Sequence, residues 1–344
     1  MRRNLLPRLI CPACLRAHAD EAALRLVAPD RGTETDVVTG RLACPLCGKE
    51  YLVENGIAEL LTDEAASARA ATTAAWEDLA RREAWLDPPP EYLDALPFPA
   101  ALQYAPKDTI TWDRHCRNFF EVLSKLDLSG KDVLDLAAGR CWSTKYLALR
   151  GARAVATDLM SHATLGLGAA ESLMARSGVF FERVCCDMNS LPFATASFDG
   201  VFVSGSLHHT DDLDRAMGEI GRVCRDGGFL AMTNEPGSGP RARREHGDDK
   251  DRTGEHNYRT WRQLRALRRG GFRGARFYPD AYFGKKDDYC HSPFFHFLGR
   301  LTRRAYGMKV LLRGGIILLT ARRKRRAGLD RAPRGVAPQS AKDS

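Results

Sequence analysis

The sequence predicts an α/β fold, a mostly parallel sheet with helices between its strands, preceded by a small β-rich metal-binding unit. Three observations predict it. From about residue 130, short apolar runs alternate with helix-like stretches, the pattern of strand–helix–strand units in a parallel sheet. Two C-x-x-C pairs, Cys11/Cys14 and Cys44/Cys47, fall within the first 50 residues. The chain of 344 residues is long enough for two or three domains, and its 44% hydrophobic content suffices for a full core without a disulfide scaffold. No uninterrupted apolar run approaches the roughly 20 residues that cross a bilayer. The opening MRRNLLPRLICPAC is broken by Pro7 and Arg8, too early for a secretory signal. These features exclude a transmembrane, secreted or fibrous class and point to the cytoplasm.

Residues 1–62 read as one unit. A C-x-x-C turn brings two thiolates onto one metal, and two such turns complete a tetrahedron of Cys11, Cys14, Cys44 and Cys47. Gly48 permits the positive φ that turns backbone N–H groups toward the sulfurs. The 29 residues between the pairs are enough for a β-hairpin. Iron suits the same four-thiolate shell. The first pair is followed by Leu15 and not by glycine, which favours zinc. The other six of the ten cysteines are scattered, as expected of free thiols in a reducing cytosol.

The stretch LACPLCGKEYLVENGIAELL resembles the small zinc-ribbon family that serves as activator subunit for several RNA and protein methyltransferases. The similarity covers roughly residues 5–62: a CPxCG knuckle, an aromatic, an apolar strand and the Asn55-Gly56 turn. It implies a structural zinc ribbon, here fused in cis to whatever follows.

Residues 63–87 are rich in Ala, Glu and Arg, which favours helix, and Pro88, Pro89 and Pro90 end it. Residues 63–108 are expected to form a helical, Pro-rich linker. Helical spacing returns over 112–126. The apolar run 133–136 then leads into a helix at 143–150, the run 154–157 into a helix at 161–176, and further strands are expected at 179–185, 200–204 and 228–233, with a helix at 211–224. A helix at 257–270 and closing strands at 272–278 and 314–322 complete the series.

Val133 to Ser143 is a strand, a tight turn and a helix start, the setting in which a glycine fingerprint cradles a nucleotide. Gly139 is its one glycine. Asp158 ends the next apolar run about 20 residues on, where a carboxylate can accept both ribose hydroxyls. A nicotinamide-binding domain would favour two more glycines and leaves Leu191-Pro192-Phe193 and Ser197-Phe198-Asp199 unexplained.

With Asp187-Met188, these motifs give a D-x-x-x-LPF-x-x-x-SFD pattern. It resembles the class I S-adenosylmethionine-dependent methyltransferases, type 11 branch, over about residues 110–280 with 308–323 as last strand. The resemblance implies a Rossmann-like, mostly parallel seven-stranded sheet over residues 109–323 and a bound S-adenosylmethionine. It implies that Asp135 orients the turn and the amino end of the methionine part. Ala137, Gly139 and Cys141 stand at the three glycine positions, Ala a mild departure and Cys a larger one. Asp158 would bind ribose, Asp187 the adenine amino group, and Met188 the ring through its N–H. Ser204 and His208 end the fourth strand, with His208 a candidate general base; a pocket-wall histidine is the plainer alternative. Asp199 reads better as a turn residue.

Methyl transfer from a sulfonium is an in-line displacement to an already activated donor, so positioning can supply most of the acceleration. The acceptor region is expected in the charged loop 236–258 and its flanks, with Glu235, Glu255, His256 and Tyr258 as contacts; a solvated loop is the alternative. The aromatic insert 278–306 (Tyr282, Phe283, Tyr289, His291, Phe294, Phe295, His296, Phe297) is expected as a lid.

The formal charge is +9, of which residues 321–334 carry +6, leaving +3 elsewhere. Residues 324–344 therefore read as a basic, disordered tail, with nucleic-acid contact the alternative. Residues 130–239 hold ten basic and thirteen acidic residues, a core suited to small molecules. The expected function is methyl transfer to a small-molecule, glycan or natural-product acceptor. The alternatives are an RNA or translation-protein methyltransferase docked by ribbon and tail, and a non-catalytic scaffold. The sequence leaves the oligomeric state open.

Overall fold

A computed structural model describes residues 1–17, 21–98, 109–241, 253–283 and 305–324, with Lys285, Phe294, Phe297 and Leu298. The basic tail beyond 324, the middle of the 236–258 loop, the end of the Pro-rich segment, and Tyr289, His291, Phe295 and His296 of the insert lie outside the described residues.

The first four strands form an antiparallel meander: β1 (Arg25–Gly32), β2 (Val37–Ala43), β3 (Glu50–Glu54) and β4 (Ile57–Glu59). The short helix α1 (Pro12–Arg16) carries the first cysteine pair. Asn55 and Gly56 both take positive φ, 50° and 72°, as a two-residue hairpin turn between β3 and β4 requires.

Helix α2 (Asp63–Arg82) starts at Thr62, whose hydroxyl accepts from the Ala65 amide, and has acidic residues in its first turn and arginines in its last. It ends where Ala84 enters the left-handed region, five residues earlier than the prolines alone suggested. Next come α3 (Pro90–Ala95) and α4 (Thr109–Leu123).

The remaining chain alternates as expected: β5 (Asp132–Leu136), α5 (Trp142–Leu149), β6 (Arg153–Asp158), α6 (Ala170–Ser177), β7 (Glu182–Cys185), β8 (Phe198–Ser204), α7 (Leu213–Val223), β9 (Cys224–Ser238), α8 (Thr260–Arg269), β10 (Phe272–Phe277), α9 (Ala305–Arg313) and β11 (Gly314–Arg323). Helix α6 is shorter than the 161–176 the spacing suggested. A Cβ at Gly166 would stand 2.1 Å from the Met160 carbonyl oxygen, so residues 161–168 fold as a tight turn that only glycine admits there.

Among the described residues one sheet of eleven strands results, in the order β1-β2-β3-β4-β7-β6-β5-β8-β9-β11-β10. Strands β7, β6, β5, β8 and β9 are parallel, and β11 is antiparallel to both β9 and β10. This is the seven-stranded Rossmann-like sheet expected. Strand β4 then adds in parallel to its edge, Ile57 opposite Arg183 and Glu59 opposite Cys185, and the Leu60 amide donates to the Cys185 carbonyl. The Cys-rich unit thus continues the sheet and covers what would otherwise be an open edge.

Arg8, before α1, adds a second tie. Its guanidinium meets Asp132 at the start of β5 at 2.8 Å, and Arg153 and Arg225 reach the same buried carboxylate at 2.8 and 3.1 Å. Despite burial, these cations hold Asp132 down to about 2. Asp199, expected as a turn residue, lies in β8, where it accepts the Asp132 amide and pairs with Arg225.

Candidate functional site

The carboxyl ends of β5, β6, β7 and β8 face one cavity of 840 Å³. The turn after β5 shapes its floor. Ala137, Gly139 and Cys141 all hold positive φ, 49°, 51° and 61°. The three positions are therefore left-handed whatever their side chains, and Ala137 and Cys141 carry a strain of about 1–2 kcal/mol each. A Cβ on Gly139 would meet no protein atom within 4 Å; the residue borders open cavity where a ligand can approach the backbone.

Asp135 and Asp158 brace this turn. One oxygen of Asp135 accepts from Ser143 and Thr144 at 2.7 and 2.6 Å, while its buried Oδ1 has no partner. Asp158, on the cavity wall, accepts the Gly139 amide at 2.8 Å and the Met160 amide at 2.9 Å. Burial pushes both carboxyls up to about 6, more than these donors lower them. Asp187 accepts the Asn189 amide, and burial raises it too. Ala137, Asp187, Met188 and Ser204 line the same cavity, whereas the expected Asp135 and Cys141 are buried and do not line it.

The open space at Gly139 and the Asp158 and Asp187 carboxylates on the cavity wall fit a ligand with hydroxyl and amino groups set beside exposed backbone. That is the chemistry of S-adenosylmethionine.

The opposite wall comes from residues the sequence reading did not single out. Ala65, Ala68, Thr72 and Trp76 of α2 line the cavity, as do Trp85, Tyr92, Trp112 and Trp142. Trp76 stands edge-on to Trp85 and to His209, with ring centroids 6.4 and 5.6 Å apart. The spacing 65, 68, 72, 76 is one helical face, small residues ending in an aromatic, and was the available signal. Arg140 lies over the Trp85 and Tyr92 rings and donates to the Trp85 carbonyl. Burial lowers it to about 10, still a cation at neutral pH. Arg16 of α1 also reaches the cavity and pairs with Glu64 at 2.8 Å.

After β8, His208 and His209 follow in a single 3-10 turn. His208 lies behind the wall, with its Nδ1 3.1 Å from Glu235. Burial disfavours its charge, but the Glu235 carboxylate outweighs burial and raises its pKa. Of the two rings it is His209 that lines the cavity.

Glu235, expected at the acceptor, is fully buried. It accepts the Ser206 and Leu207 amides at 2.6 and 2.7 Å and engages His208. Tyr258 is buried and donates to the Thr210 carbonyl; His256 stacks on it and meets Asp211 at 2.9 Å. These three residues brace the turn from behind and do not line the cavity. Likewise the insert's described start packs elsewhere: Tyr282 donates to Asp113 of α4, and Phe283 stands edge-on to Tyr306 of α9.

In the Cys-rich unit the four sulfurs lie within 4.8 Å of one another. Cys11–Cys47 and Cys14–Cys44 are each 3.7 Å apart. Bonds of about 2.3 Å to a tetrahedral zinc would separate sulfurs by about 3.8 Å. Leu46 and Cys47 amides point at the Cys44 sulfur, 3.4 and 3.5 Å away, and Gly48 has φ 73°. The donor set fits the expected metal.

Residues 134–232 match the methyltransferase domain family. The chain carries an S-adenosylmethionine-dependent methyltransferase domain. That domain is 43% identical over 105 residues to the demethylmenaquinone methyltransferase of Thermobifida fusca, covering 30% of this chain and 43% of the relative. It is 40% identical over 109 residues to the enzyme of the same name from Corynebacterium urealyticum, covering 31% and 44%. The chain thus spans less than half the length of these curated relatives. A solved S-adenosylmethionine dependent methyltransferase from Mesorhizobium loti aligns at 20% identity with a TM-score of 0.41, over 61% of this chain and 98% of that one.

Proposed function

We propose that the chain transfers a methyl group from S-adenosylmethionine to a small-molecule acceptor held against the aromatic wall, and that its four-cysteine centre holds structural zinc. The supporting observation is an 840 Å³ cavity that joins the Asp158 and Asp187 carboxylates to the aromatic side chains of α2 and its neighbours. Small-ligand pockets run from about 300 to 1,000 Å³, so this one has room for a nucleotide cofactor and a small acceptor together.

In this reading Asp158 takes the ribose hydroxyls, Asp187 and the Met188 amide take the adenine, and Asp135 fixes the turn Ala137–Cys141 beneath the methionine part. Ser204 closes the floor. The cofactor, when bound, supplies a methyl group on a cationic sulfur. The chain's own task is then to hold the acceptor in line and exclude water, which Trp76, Trp85 and Trp112 do by covering it. A flat, quinone-type acceptor, as in the relatives' name, suits such a wall. His208, braced by Glu235, does not line the cavity, so a proton that the acceptor must lose goes to water and not to this ring.

The test is transfer of labelled methyl groups to a panel of small aromatic and quinol acceptors, with bulk RNA in parallel. Label in the small-molecule fraction is expected. Label in RNA or ribosomal protein alone would support docking through ribbon and tail and overturn the proposal.

A further inference from the structure

We infer that His208, His209 and Glu255 form a second metal site, for a divalent transition-metal ion such as zinc, on the rim of the cavity. Their ligand atoms lie within 4.8 Å of one another. Two imidazoles and one carboxylate are a ligand set that zinc uses where it keeps an open position.

The neighbours prepare both rings. His208 Nδ1 is 3.1 Å from the Glu235 carboxylate, and His209 Nδ1 is 3.1 Å from the Thr253 carbonyl oxygen. Both partners only accept, so each ring holds its proton on Nδ1 and presents Nε2 as the lone-pair nitrogen. A carboxylate or carbonyl behind each histidine is the usual support of a metal-binding imidazole.

The third ligand is held as well. The His256 amide donates to the His208 carbonyl at 2.8 Å, and Tyr258 donates to the Thr210 carbonyl. Gly254, at φ 78°, turns the chain between the Thr253 carbonyl and Glu255. The strap 253–258 is therefore laced to the histidine turn on both sides of Glu255. Tetrahedral ligation with bonds of about 2.1 Å needs donors about 3.4 Å apart, a closure within reach of the exposed Glu255 side chain.

His209, Thr253 and Gly254 line the cavity, so the open position would face the acceptor. Resting on the methyl-transfer reading, the role follows: an acceptor hydroxyl on the metal loses its proton to water more readily. Its oxygen bonds to the methyl carbon as the sulfonium C–S bond breaks, the electron pair leaving with sulfur. The acceptor class is then an oxygen nucleophile.

The site is tested without turnover. The purified full chain is titrated with cobalt(II) and zinc, with bound metal counted per chain and cobalt followed by absorption. Two ions per wild-type chain are expected: one with thiolate charge-transfer bands, one with weak d–d absorption alone. His209→Ala and Glu255→Gln should each bind one ion and keep the thiolate bands. Glu255 is exposed, so its variant keeps the test valid if His209→Ala does not fold. Saturation at one ion in the wild type, or a second ion retained in both variants, overturns the inference.

Discussion

The Gly139 amide donates to the Asp158 carboxylate across 2.8 Å, tying the turn after β5 to the end of β6. The residue that borders the open cradle and the residue proposed for ribose are thus one unit, and changes in the charge of Asp158 reach the turn directly.

The buried carboxylates set the pH dependence of the cofactor-free chain. Burial raises Asp135 and Asp158 to about 6, above an unfolded value of about 3.9. Their contribution is full at low pH and is lost as pH rises through about 6. Asp132, held at about 2 by its arginines, works in the opposite direction: its contribution is present above about pH 4 and lost as pH falls toward 2. Stability should peak near pH 4 and decline from there to about pH 6. Asp135→Asn keeps an acceptor for Ser143 and Thr144 and should flatten the decline above pH 4, as denaturant titrations across pH will show. Cofactor affinity should fall about tenfold per pH unit below 6 if one ionised carboxylate is required.

Ala137 bears a Cβ at φ 49°. Ala137→Gly removes a left-handed strain of about 1–2 kcal/mol but frees the unfolded chain, so it should stabilise by about 0.5–1 kcal/mol. Equilibrium unfolding checks the sign. A loss of stability would mean that the alanine methyl makes packing contacts worth more than the strain.

The metal of the Cys-rich unit should matter to the whole chain, because β4 pairs with β7 inside one sheet and Arg8 pairs with Asp132. Cys44→Ser, or chelation, should lower the main thermal transition and soluble yield together. A separate early transition, with the main one unmoved, would show the unit to be independent.

Trp76 stands edge-on to His209 on the cavity wall proposed to hold the acceptor. Trp76→Ala should raise the acceptor KM about 5- to 30-fold, the effect of losing about 1–2 kcal/mol of aromatic contact, with cofactor affinity little changed. Steady-state kinetics with each substrate varied separates the two.

Much of this was legible in the sequence. Strands such as Val133–Leu136 and Val201–Val203 are buried on both faces, so they read as continuous apolar runs. The strand-end aspartates announced themselves by position. Tertiary placement did not. Trp76 and Arg16 belong to segments read as linker and metal unit, and the pairing of β4 with β7, with Arg8 on Asp132, brings them to the cavity. Glu235 stands beside a charged loop, where sequence suggests a substrate contact; the Ser206 and Leu207 amides that it accepts come from 29 and 28 residues away in sequence. Helix α6 lost its first half to the close approach at Gly166, which no periodicity reveals.

The most direct test is calorimetric titration of the purified chain with S-adenosylmethionine, beside Asp158→Ala and with thermal unfolding as a control for folding. Micromolar binding by the wild type, abolished in a folded Asp158→Ala, is the predicted result. No binding by the intact chain, or equal binding by the variant, would contradict the assignment of this cavity to the cofactor.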